Sequence, residues 1–271
     1  MTGEVRAAEA AGEAAGRGVV RVVLRHEGRL NAMSRGMWRA LRDVFEDIQR
    51  SSVRCVLIEG EGEAFCAGGD ISEYPAFRFH PDSLRDFHEN DVWGGLGAML
   101  ACDVPIVARI AGACMGAGVE IASCCDVRIA AASARFGAPI ARLGFPMAPR
   151  EAALVAGAVG EVTARQMLLE AATFNAHEMA QRGFLSQVVE PGLLEAQALG
   201  SALRIAALAP GAARLNKQTL RALQASKWPP APVYQAQAAI DPVANDPYAY
   251  ACSAEHREGI AAFLAKRPPV F

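Results

Sequence analysis

The feature of this sequence that most constrains its fold is a repeated alternation between short apolar strands and amphipathic helices. From Gly18 the chain reads VVRVVLRH, a run rich in β-branched residues that predicts a strand. In residues 34–50 the apolar side chains recur at helical spacing, with Ser34 as the predicted N-cap. A second strand, RCVLIEG, follows and ends in glycine. Strands separated by helices of this length predict parallel βαβ units.

The same pattern returns in the middle of the chain and gives way to helices towards its end. We predict a helix over 83–101, a strand over 105–110, a helix from near Gly116 and a strand over 126–130. Breaks are predicted near Gly211 and at Trp228-Pro229-Pro230. The helices predicted beyond Pro149 are 151–158, 164–169, 176–182, 194–209, 214–225 and 254–266. The last of them are Ala-rich and offer little apolar surface, which indicates packing on a neighbouring subunit.

Composition and charge exclude several classes of protein. The chain has 271 residues and a formal net charge of −2, without a run of Lys and Arg, so we expect no nucleic-acid binding. No apolar run reaches membrane-spanning length, and we predict no membrane contact. The cysteines show no metal-like spacing with the histidines, which predicts reduced thiols and no metal site. Residues 1–17 are low in complexity and resemble no signal peptide, so we expect a mobile extension and a cytoplasmic location.

Two glycine-containing segments carry the chemistry that the sequence suggests. AFCAGGD, from Ala64 to Asp70, and AGACMGAGVEIASCCD, from Ala111 to Asp126, each follow a predicted strand. Glycine leaves backbone N–H groups uncovered, the first N–H groups of a helix lack internal partners, and two such groups aimed at one oxygen form an oxyanion hole. A phosphate loop requires Lys-Ser/Thr after its last glycine, and a dinucleotide fingerprint requires glycine in place of Ile121, so both are excluded. For either segment alone, a tight turn is the alternative.

The same segments resemble those of the enoyl-CoA hydratase/isomerase (crotonase) superfamily. AFCAGGDI is similar to its first signature, AGACMGAGVEIASCCDVRIAAASARFGAP to its second, LRHEGRLNAM to its CoA-binding turn and EGIAAFLAKRPPVF to its C-terminal helix. The resemblance covers residues 18–271 and implies an α/β fold, a spiral of ββα units with a helical C-terminal trimerisation region. We divide the chain into a flexible extension (1–17), a ββα core with the acyl-CoA site (18–205) and a helical oligomerisation region (206–271).

The resemblance also implies a ligand, a site and an assembly. The ligand is an acyl-CoA thioester, so coenzyme A enters as part of the substrate and no tightly bound cofactor is expected. The thioester oxygen accepts hydrogen bonds from the N–H groups of Ala67 and Ala117, and the subunits form a homotrimer or a hexamer of two trimers. For Lys266, an ordinary surface position is the alternative to contact with the CoA phosphates. The residues implied to bind substrate or coenzyme A are Arg29, Leu30, Ala32, Ala67, Gly68, Gly69, Asp70, Ile71, Gly116, Ala117, Ile140 and Lys266.

Glu120 is the predicted acid/base. It falls in the first turn of the helix that opens after the second glycine segment, and it matches one of two glutamates that flank the double bond in the resembling hydratases. An oxyanion hole makes the α-proton of a thioester acidic, and burial can raise the pKa of a carboxylate towards neutrality. The alternative is a glutamate that only stabilises a helix N-terminus.

The second glutamate of the resembling hydratases is missing. Its position, after Phe136-Gly137-Ala138-Pro139, holds Ile140, whose aliphatic side chain cannot transfer a proton. The Pro-Gly-Ala-Gly-Gly-like loop of those hydratases is also replaced, by FPMAPRE. One carboxylate can move a proton between carbons, yet the single-base isomerases of the family keep their glutamate at the position of Ile140. Hydration, isomerisation, thioester hydrolysis and acyl-CoA binding without catalysis therefore all stay open.

Other polar side chains receive no chemical role from the sequence. Arg142 and Glu151 could enter the pocket in place of the lost acid, but surface or ion-pair roles are favoured. Tyr74 follows the first signature on a segment that contacts the acyl tail in the resembling proteins, and we assign it no role. Cys66, inside the first signature, is interpreted as a small buried filler. None of the five histidines is assigned chemistry.

Overall fold

The computed structural model describes residues 3–12, 15–227 and 248–271, and a largely parallel β-sheet forms its centre. The main sheet has the strand order β1-β2-β3-β4-β6-β9, in which every pair is parallel except the β1–β2 pair. The predicted parallel βαβ arrangement is therefore confirmed. The strands in chain order are β1 (Glu4–Glu9), β2 (Val19–Arg25), β3 (Cys55–Gly60), β4 (Ile106–Ile110), β5 (Ala113–Met115), β6 (Val127–Ala131), β7 (Arg135–Gly137), β8 (Thr173–Asn175) and β9 (Gln187–Val189).

Helices connect these strands and make up most of the chain beyond Pro149. A π-helical turn, Phe87–Val92, joins α2 to α3, and Ser34 caps α1 by accepting a hydrogen bond from the N–H of Met37 at 3.2 Å. The helices in chain order are α1 (Arg35–Arg50), α2 (Pro81–Asp86), α3 (Trp93–Ala101), α4 (Ala117–Ser123), α5 (Pro149–Val159), α6 (Glu161–Leu169), α7 (Ala176–Gln181), α8 (Leu194–Ala206), α9 (Pro210–Lys227) and α10 (Ala254–Leu264). None of those in the described ranges combines the length and apolarity needed to span a membrane.

The sheet is buried between two layers of helices. Helices α1 and α3 lie on one face, within the larger hydrophobic cluster, and α8 covers the other face. There Ala198 and Ala202 of α8 pack against Leu57 and Val107. Strand β3 is buried along its whole length, as expected for a central parallel strand covered on both sides.

The N-terminal residues differ from our expectation. Residues Glu4–Glu9 form β1 and pair with β2 along their whole length, so the prediction of a flexible extension over 1–17 is wrong for this segment. Val5 is buried, while exposed charges form ion pairs such as that of Arg25 Nη1 with Glu4 Oε1 at 3.0 Å. Backbone hydrogen bonds order this strand although its side chains bury little, and composition carries no signal of such bonds.

A second, small sheet is absent from the sequence-based prediction. It has the order β5-β7-β8, and each of its strands has three residues. Strands this short fall below the length at which alternation can be recognised. The sheet holds the loop before α4 in place, since the N–H of Gly116 donates to the carbonyl of Gly137 at 2.8 Å.

Two predicted breaks near the C-terminus have different outcomes. The break near Gly211 lies slightly earlier than predicted, because Pro210 is the first residue of α9 and Gly211 the second. Proline suits the first turn of a helix, where its missing N–H has no partner to lose. The predicted break at Trp228-Pro229-Pro230 lies outside the described residues.

Candidate active site

Two loops, which follow the adjacent strands β3 and β4, form one wall of the site. Cys66 and Cys114 pair as a backbone bridge between the loops, and the N–H of Met115 donates to the carbonyl of Cys66 at 2.9 Å. A methyl group on Gly118 would lie 2.5 Å from that carbonyl, so only glycine allows this approach. Ligands of α/β proteins bind at the carboxyl ends of parallel strands. The two glycine-containing segments thus meet where a ligand is expected.

The two N–H groups predicted to form the oxyanion hole have different partners. Gly116 has a φ of +47° and precedes α4, and no hydrogen bond from the N–H of Ala117 is found within the described residues. As the first residue of its helix, Ala117 carries its N–H at the positive end of the helix dipole. The N–H of Ala67, by contrast, donates to the carbonyl of Leu30 at 3.0 Å. One predicted donor is open and the other is engaged.

The carbonyl that engages Ala67 belongs to a tight turn. Leu30 and Asn31 have φ angles of +47° and +60°, in the left-handed region. The buried Asn31 fixes the turn, because its Nδ2 donates to the carbonyls of Glu61 and Ala64 at 2.8 Å each. Asn tolerates this conformation, whereas Leu adopts it only under strain. The strained Leu30 therefore lies in the turn where coenzyme A is expected to bind.

Asp70 and Arg29 form a polar group at the edge of the site. Buried Asp70 accepts hydrogen bonds from the N–H of Ser72 at 3.1 Å and from its hydroxyl at 2.6 Å. It also pairs with Arg29 Nη1 at 3.2 Å. The Arg29 side chain is 51% exposed, so its guanidinium is anchored and still open to an anionic ligand.

A cavity of about 360 Å³ lies against these loops. This volume is near the lower end of the range for ligand pockets. The cavity is lined by Glu120 and by every residue implied to bind substrate or coenzyme A, except Leu30 and Lys266. Leu30 and Lys266 are exposed, while Phe263 and Leu264, just before Lys266, do line the cavity.

Glu120 occupies the first turn of α4, as predicted, and its side chain reaches the cavity. Burial raises the pKa of its carboxyl group from 4.5 to about 8, with a further rise from Glu151 and an opposing effect from Arg78. A group with this pKa is mostly protonated at pH 7 and still exchanges its proton readily. General acid–base catalysis uses groups with pKa values in this range.

A histidine to which the sequence analysis assigned no role lines the same cavity. His88 lies in the π-helical turn, and its Nδ1 is 3.0 Å from Oε1 of Glu151 in the first turn of α5; both residues are buried. A carboxylate can only accept, so this contact assigns the proton to Nδ1 and leaves a lone pair on Nε2. Nε2 has no hydrogen-bond partner in the part of the chain described. Burial lowers the pKa of His88, so the ring is neutral near pH 7.

The structure gives Glu151 and Arg142 different outcomes. Glu151 has neither of the favoured roles, because it is buried and accepts a hydrogen bond from a neutral cavity histidine 63 positions away. No local pattern connects residues so far apart in the sequence. Arg142 is exposed, donates to the carbonyl of Ala171 at 3.3 Å and does not line the cavity.

A buried guanidinium surrounded by aromatic rings forms another part of the cavity lining. Arg78 is 1% exposed, and its Cζ lies 4.4 Å from the ring centre of Tyr74 and 4.1 Å from that of Phe145. We call this part the aromatic wall and the glycine loops the backbone wall. Sequence reasoning overlooked Arg78 and assigned Tyr74 no role, because isolated polar residues in a predicted loop form no motif. The aromatic wall comprises Trp38, Tyr74, Arg78, Phe87, His88 and Phe145.

Two other polar residues near the site have structural roles. Cys66 is fully buried, and burial raises the pKa of its thiol to about 12, which agrees with a filler rather than a nucleophile. His26 places its Nδ1 2.7 Å from the carbonyl of Ala32 and so supports the CoA-binding turn. Across the described residues, no group of three or more His, Cys, Asp or Glu side chains is placed to hold a metal ion.

Fold and site together define an α/β protein in which backbone N–H groups and a partly buried carboxyl group face one ligand cavity. A family model described as enoyl-CoA hydratase/isomerase matches residues 14–271. This chain belongs to that family, whose members act on CoA thioesters, and it is an enoyl-CoA hydratase/isomerase-like enzyme.

Individual relatives agree with this assignment. The probable enoyl-CoA hydratase echA8 of Mycobacterium bovis is 31% identical over 219 residues, which cover 81% of this chain and 80% of the relative. The crystal structure of an enoyl-CoA hydratase/carnithine racemase from Magnetospirillum magneticum is 34% identical, covers 94% of this chain and 92% of its own, and has a TM-score of 0.75. A methylmalonyl-CoA decarboxylase in complex with 2-nitronate-propionyl-CoA has a TM-score of 0.82 over 99% of this chain and 98% of its own, but at 23% identity it shows likeness of fold alone. The crotonase-like α/β fold is confirmed.

Proposed function

We propose that this protein adds water to the double bond of an enoyl-CoA, with Glu120 as the acid and His88 as the base. The observation that carries the proposal is that both groups line one cavity in complementary protonation states. Glu120, with a pKa of about 8, holds a proton at neutral pH, and Nε2 of the neutral His88 has no hydrogen-bond partner within the described residues. Glu151 acts as the positioning residue that orients His88.

The thioester oxygen is proposed to bind in the oxyanion hole of the backbone wall. Ala117 offers an open N–H group, and Ala67 exchanges its hydrogen bond with Leu30 for one with the substrate. This exchange requires the turn that contains Leu30, whose φ is +47°, to move away from Ala67. A donor of this kind stabilises the transition state by roughly 3–4 kcal/mol in acyl-transfer enzymes.

Coenzyme A is proposed to lie along the outer edge of the site as part of the substrate. Arg29 is anchored by Asp70 and exposed enough to meet a CoA phosphate. Lys266 follows the cavity-lining Phe263 and Leu264 and is exposed, so it can contribute a second positive charge. Small residues such as Gly68 and Gly69 let the thioester arm approach the backbone closely.

Hydration then proceeds with all atoms and electrons accounted for. Nε2 of His88 takes a proton from water while the water oxygen forms a bond to C3, and the π electrons move onto the thioester as an enolate. The enolate oxygen accepts hydrogen bonds in the hole as Glu120 gives its proton to C2. Exchange with solvent returns the proton from His88 to Glu120. The product is a 3-hydroxyacyl-CoA that has gained one water.

The pairing of His88 with Glu151 gives the site a second proton-transfer group, which Ile140 cannot be. Two other reactions, and binding without a reaction, are outcomes of the same test. Glu120 acting alone as a base would isomerise the double bond, and water activated by His88 could instead attack the thioester carbon and release free coenzyme A. A protein that binds acyl-CoA without turnover is the last alternative.

The test is an assay with crotonyl-CoA and 3-hexenoyl-CoA followed by absorbance, mass spectrometry and free-thiol release. We expect a mass gain of one water from crotonyl-CoA, and a loss of at least about 100-fold in kcat for Glu120→Gln and for His88→Gln, with acyl-CoA binding retained. Glu170→Gln is the matched control, because Glu170 is exposed and does not line the cavity.

Each alternative has its own signature in this assay. Double-bond migration without a mass change identifies an isomerase, and release of free thiol identifies a hydrolase. Binding without any product identifies an acyl-CoA-binding protein. Full turnover by Glu120→Gln contradicts the role of Glu120 in hydration and in isomerisation.

We also propose that the C-terminal helices mediate self-association as a trimer or as a hexamer of two trimers. Leu215 and Leu220 of α9 are 62% and 63% exposed, and Phe263 of α10 is 52% exposed. Clustered exposed apolar side chains are typical of subunit contacts. Sedimentation velocity is expected to give a trimer or a hexamer, and a monomer at micromolar concentration would contradict this. The cytoplasm remains the predicted location, to be tested by cell fractionation.

A further inference from the structure

Arg78 is a buried cation of the cavity wall that has no carboxylate partner among the residues the structure describes. Its side chain is 1% exposed, and no carboxylate oxygen of the described residues lies within 4.0 Å of its guanidinium. Its hydrogen bonds go from Nη2 to the hydroxyl of Tyr250 at 3.2 Å and from Nε to Nε2 of His256 at 3.5 Å. Both partners are neutral groups. A buried charge is costly unless an opposite charge compensates it.

The groups around Arg78 lower the free-energy cost of burying its charge, but none of them carries an opposite charge. The rings of Tyr74, Phe145 and Phe87 lie 4.4, 4.1 and 5.8 Å from its Cζ and provide cation–π contacts. The pKa of His256 falls to about 4, through burial and the charge of Arg78, so this ring is neutral at pH 7. The wall therefore carries a positive charge that its own nearest groups leave uncompensated.

The two acids of the cavity do not serve as its counter-ion. Burial keeps Glu120 mostly protonated at neutral pH, and Glu151 lies against His88 instead. A second donor of the same wall, Nε1–H of the buried Trp38, has no hydrogen-bond partner among the described residues. A purely aliphatic acyl group would leave both the cation of Arg78 and the N–H of Trp38 facing hydrocarbon.

We propose that the acyl group of the substrate carries a carboxylate, which Arg78 binds, so that the substrate is the CoA monothioester of a short dicarboxylic acid. The planar guanidinium matches a carboxylate through two parallel hydrogen bonds. The length of the acyl group is short because the whole cavity has only about 360 Å³. The proposal rests on the proposed function only in that the cavity binds an acyl-CoA.

The experiment is a calorimetric comparison of three saturated esters, glutaryl-CoA, its neutral amide glutaramoyl-CoA, and pentanoyl-CoA. All three have five-carbon acyl chains, and none can be hydrated or isomerised. We expect wild-type protein to bind glutaryl-CoA at least about tenfold more tightly than either neutral ester, since hydrogen bonds to charged groups are the stronger ones. In Arg78→Met this preference should vanish, while the affinity for pentanoyl-CoA stays or rises.

The matched control is Arg165→Met, because Arg165 is exposed on α6 and pairs with Glu161 far from the cavity lining. It should keep the wild-type preference. If Arg78→Met does not fold, as judged by thermal melting, the wild-type comparison still decides. Equal binding of glutaryl-CoA and pentanoyl-CoA overturns the proposal, and equal binding of glutaryl-CoA and glutaramoyl-CoA overturns the role of charge.

These outcomes are separate from those that test the hydratase mechanism. Equal binding of the three esters leaves water addition by Glu120 and His88 standing. A glutaryl-CoA preference in a protein that hydrates no enoyl-CoA leaves the role of Arg78 standing and overturns the mechanism alone. Failure to bind any of the three esters overturns both.

Discussion

The two walls of the cavity are built in opposite ways. The backbone wall comes from two continuous segments after β3 and β4, in which Ala67, Gly68, Gly116 and Ala117 present small side chains and main-chain N–H groups. The aromatic wall takes its side chains from α1, from the 3₁₀ turn Ile71–Ala76, from the π-helical turn and from loops that lie far apart in the sequence. The backbone wall consists of main-chain groups from two continuous segments. The aromatic wall consists of side chains that come together only when the chain folds.

This difference separates two kinds of information. A wall that works through its backbone needs small residues at consecutive positions, so it leaves a motif in the sequence. A wall that works through converging side chains leaves only isolated residues such as Arg78 and His88. In this family member the recognisable motif therefore marks where the thioester and Glu120 are proposed to meet, while Arg78 and His88, proposed to select the acyl chain and to activate water, lie outside it.

The largest effect should come from removing one N–H group of the backbone wall. Ala117→Pro deletes the donor at the first position of α4, where proline is compatible with a helix, and should lower kcat by about 10²- to 10³-fold. Steady-state kinetics with an accepted enoyl-CoA measure this. Glu161→Pro, at the first and exposed position of α6, is the control and should keep the activity. Equal losses in the two variants would show that proline, rather than the lost donor, is responsible.

The pH dependence of kcat/KM tests how the two walls cooperate. Because Glu120 must be protonated to act as an acid, kcat/KM should fall about tenfold per pH unit above a pKa of about 8. At low pH kcat/KM should also fall, because a protonated His88 cannot act as a base. Burial lowers the pKa of His88, so this fall should lie below the ordinary pKa of histidine. A profile that instead rises to a plateau above pH 8 would make Glu120 a base and favour isomerisation.

A smaller effect on kcat is expected when His88 stays in place but loses the hydrogen bond that orients it. Glu151→Gln keeps the shape of the side chain but removes the charge that fixes Nδ1–H of His88, and should lower kcat by about tenfold. The carboxylate of Glu151 raises the pKa of His88 against the lowering effect of burial. The variant lacks this charge, so its His88 has a lower pKa. The acidic limb of its pH profile should therefore move to lower pH. A variant with reduced kcat and an unmoved acidic limb would indicate a purely structural role for Glu151.

The smallest effect concerns stability rather than rate. Between pH 4.5 and about 8 the folded protein holds the Glu120 proton that the unfolded chain releases, so this group makes the free energy of unfolding fall as pH rises through that window. Gln cannot ionise, and Glu120→Gln should therefore gain more than about 1 kcal/mol over wild type between pH 5 and pH 9. Urea unfolding at the two pH values measures the gain. A difference that is the same at both pH values, as expected for Glu170→Gln, would contradict the raised pKa.

The sequence alone was sufficient for features that depend on near neighbours along the chain. The parallel sheet, the cap of α1 at Ser34 and the position of Glu120 in the first turn of α4 follow from local apolar spacing and from glycine. From the resemblance, the sequence also predicts that Ile140 stands where the hydratases carry a second glutamate. The small residues that line the backbone wall can be read from the sequence directly.

Only the tertiary structure decided which distant groups meet. Contacts between separate segments determine the strand β1, the bond from Ala67 to the carbonyl of Leu30 and the pair His88–Glu151. They also determine the burial of Arg78 among aromatic rings. The spacing of apolar residues along the chain shows which face of a helix or strand is buried. The partner of a buried polar group depends instead on how those elements pack against each other. For that reason the proposed thioester site follows from the sequence, and the proposed acyl site required the structure.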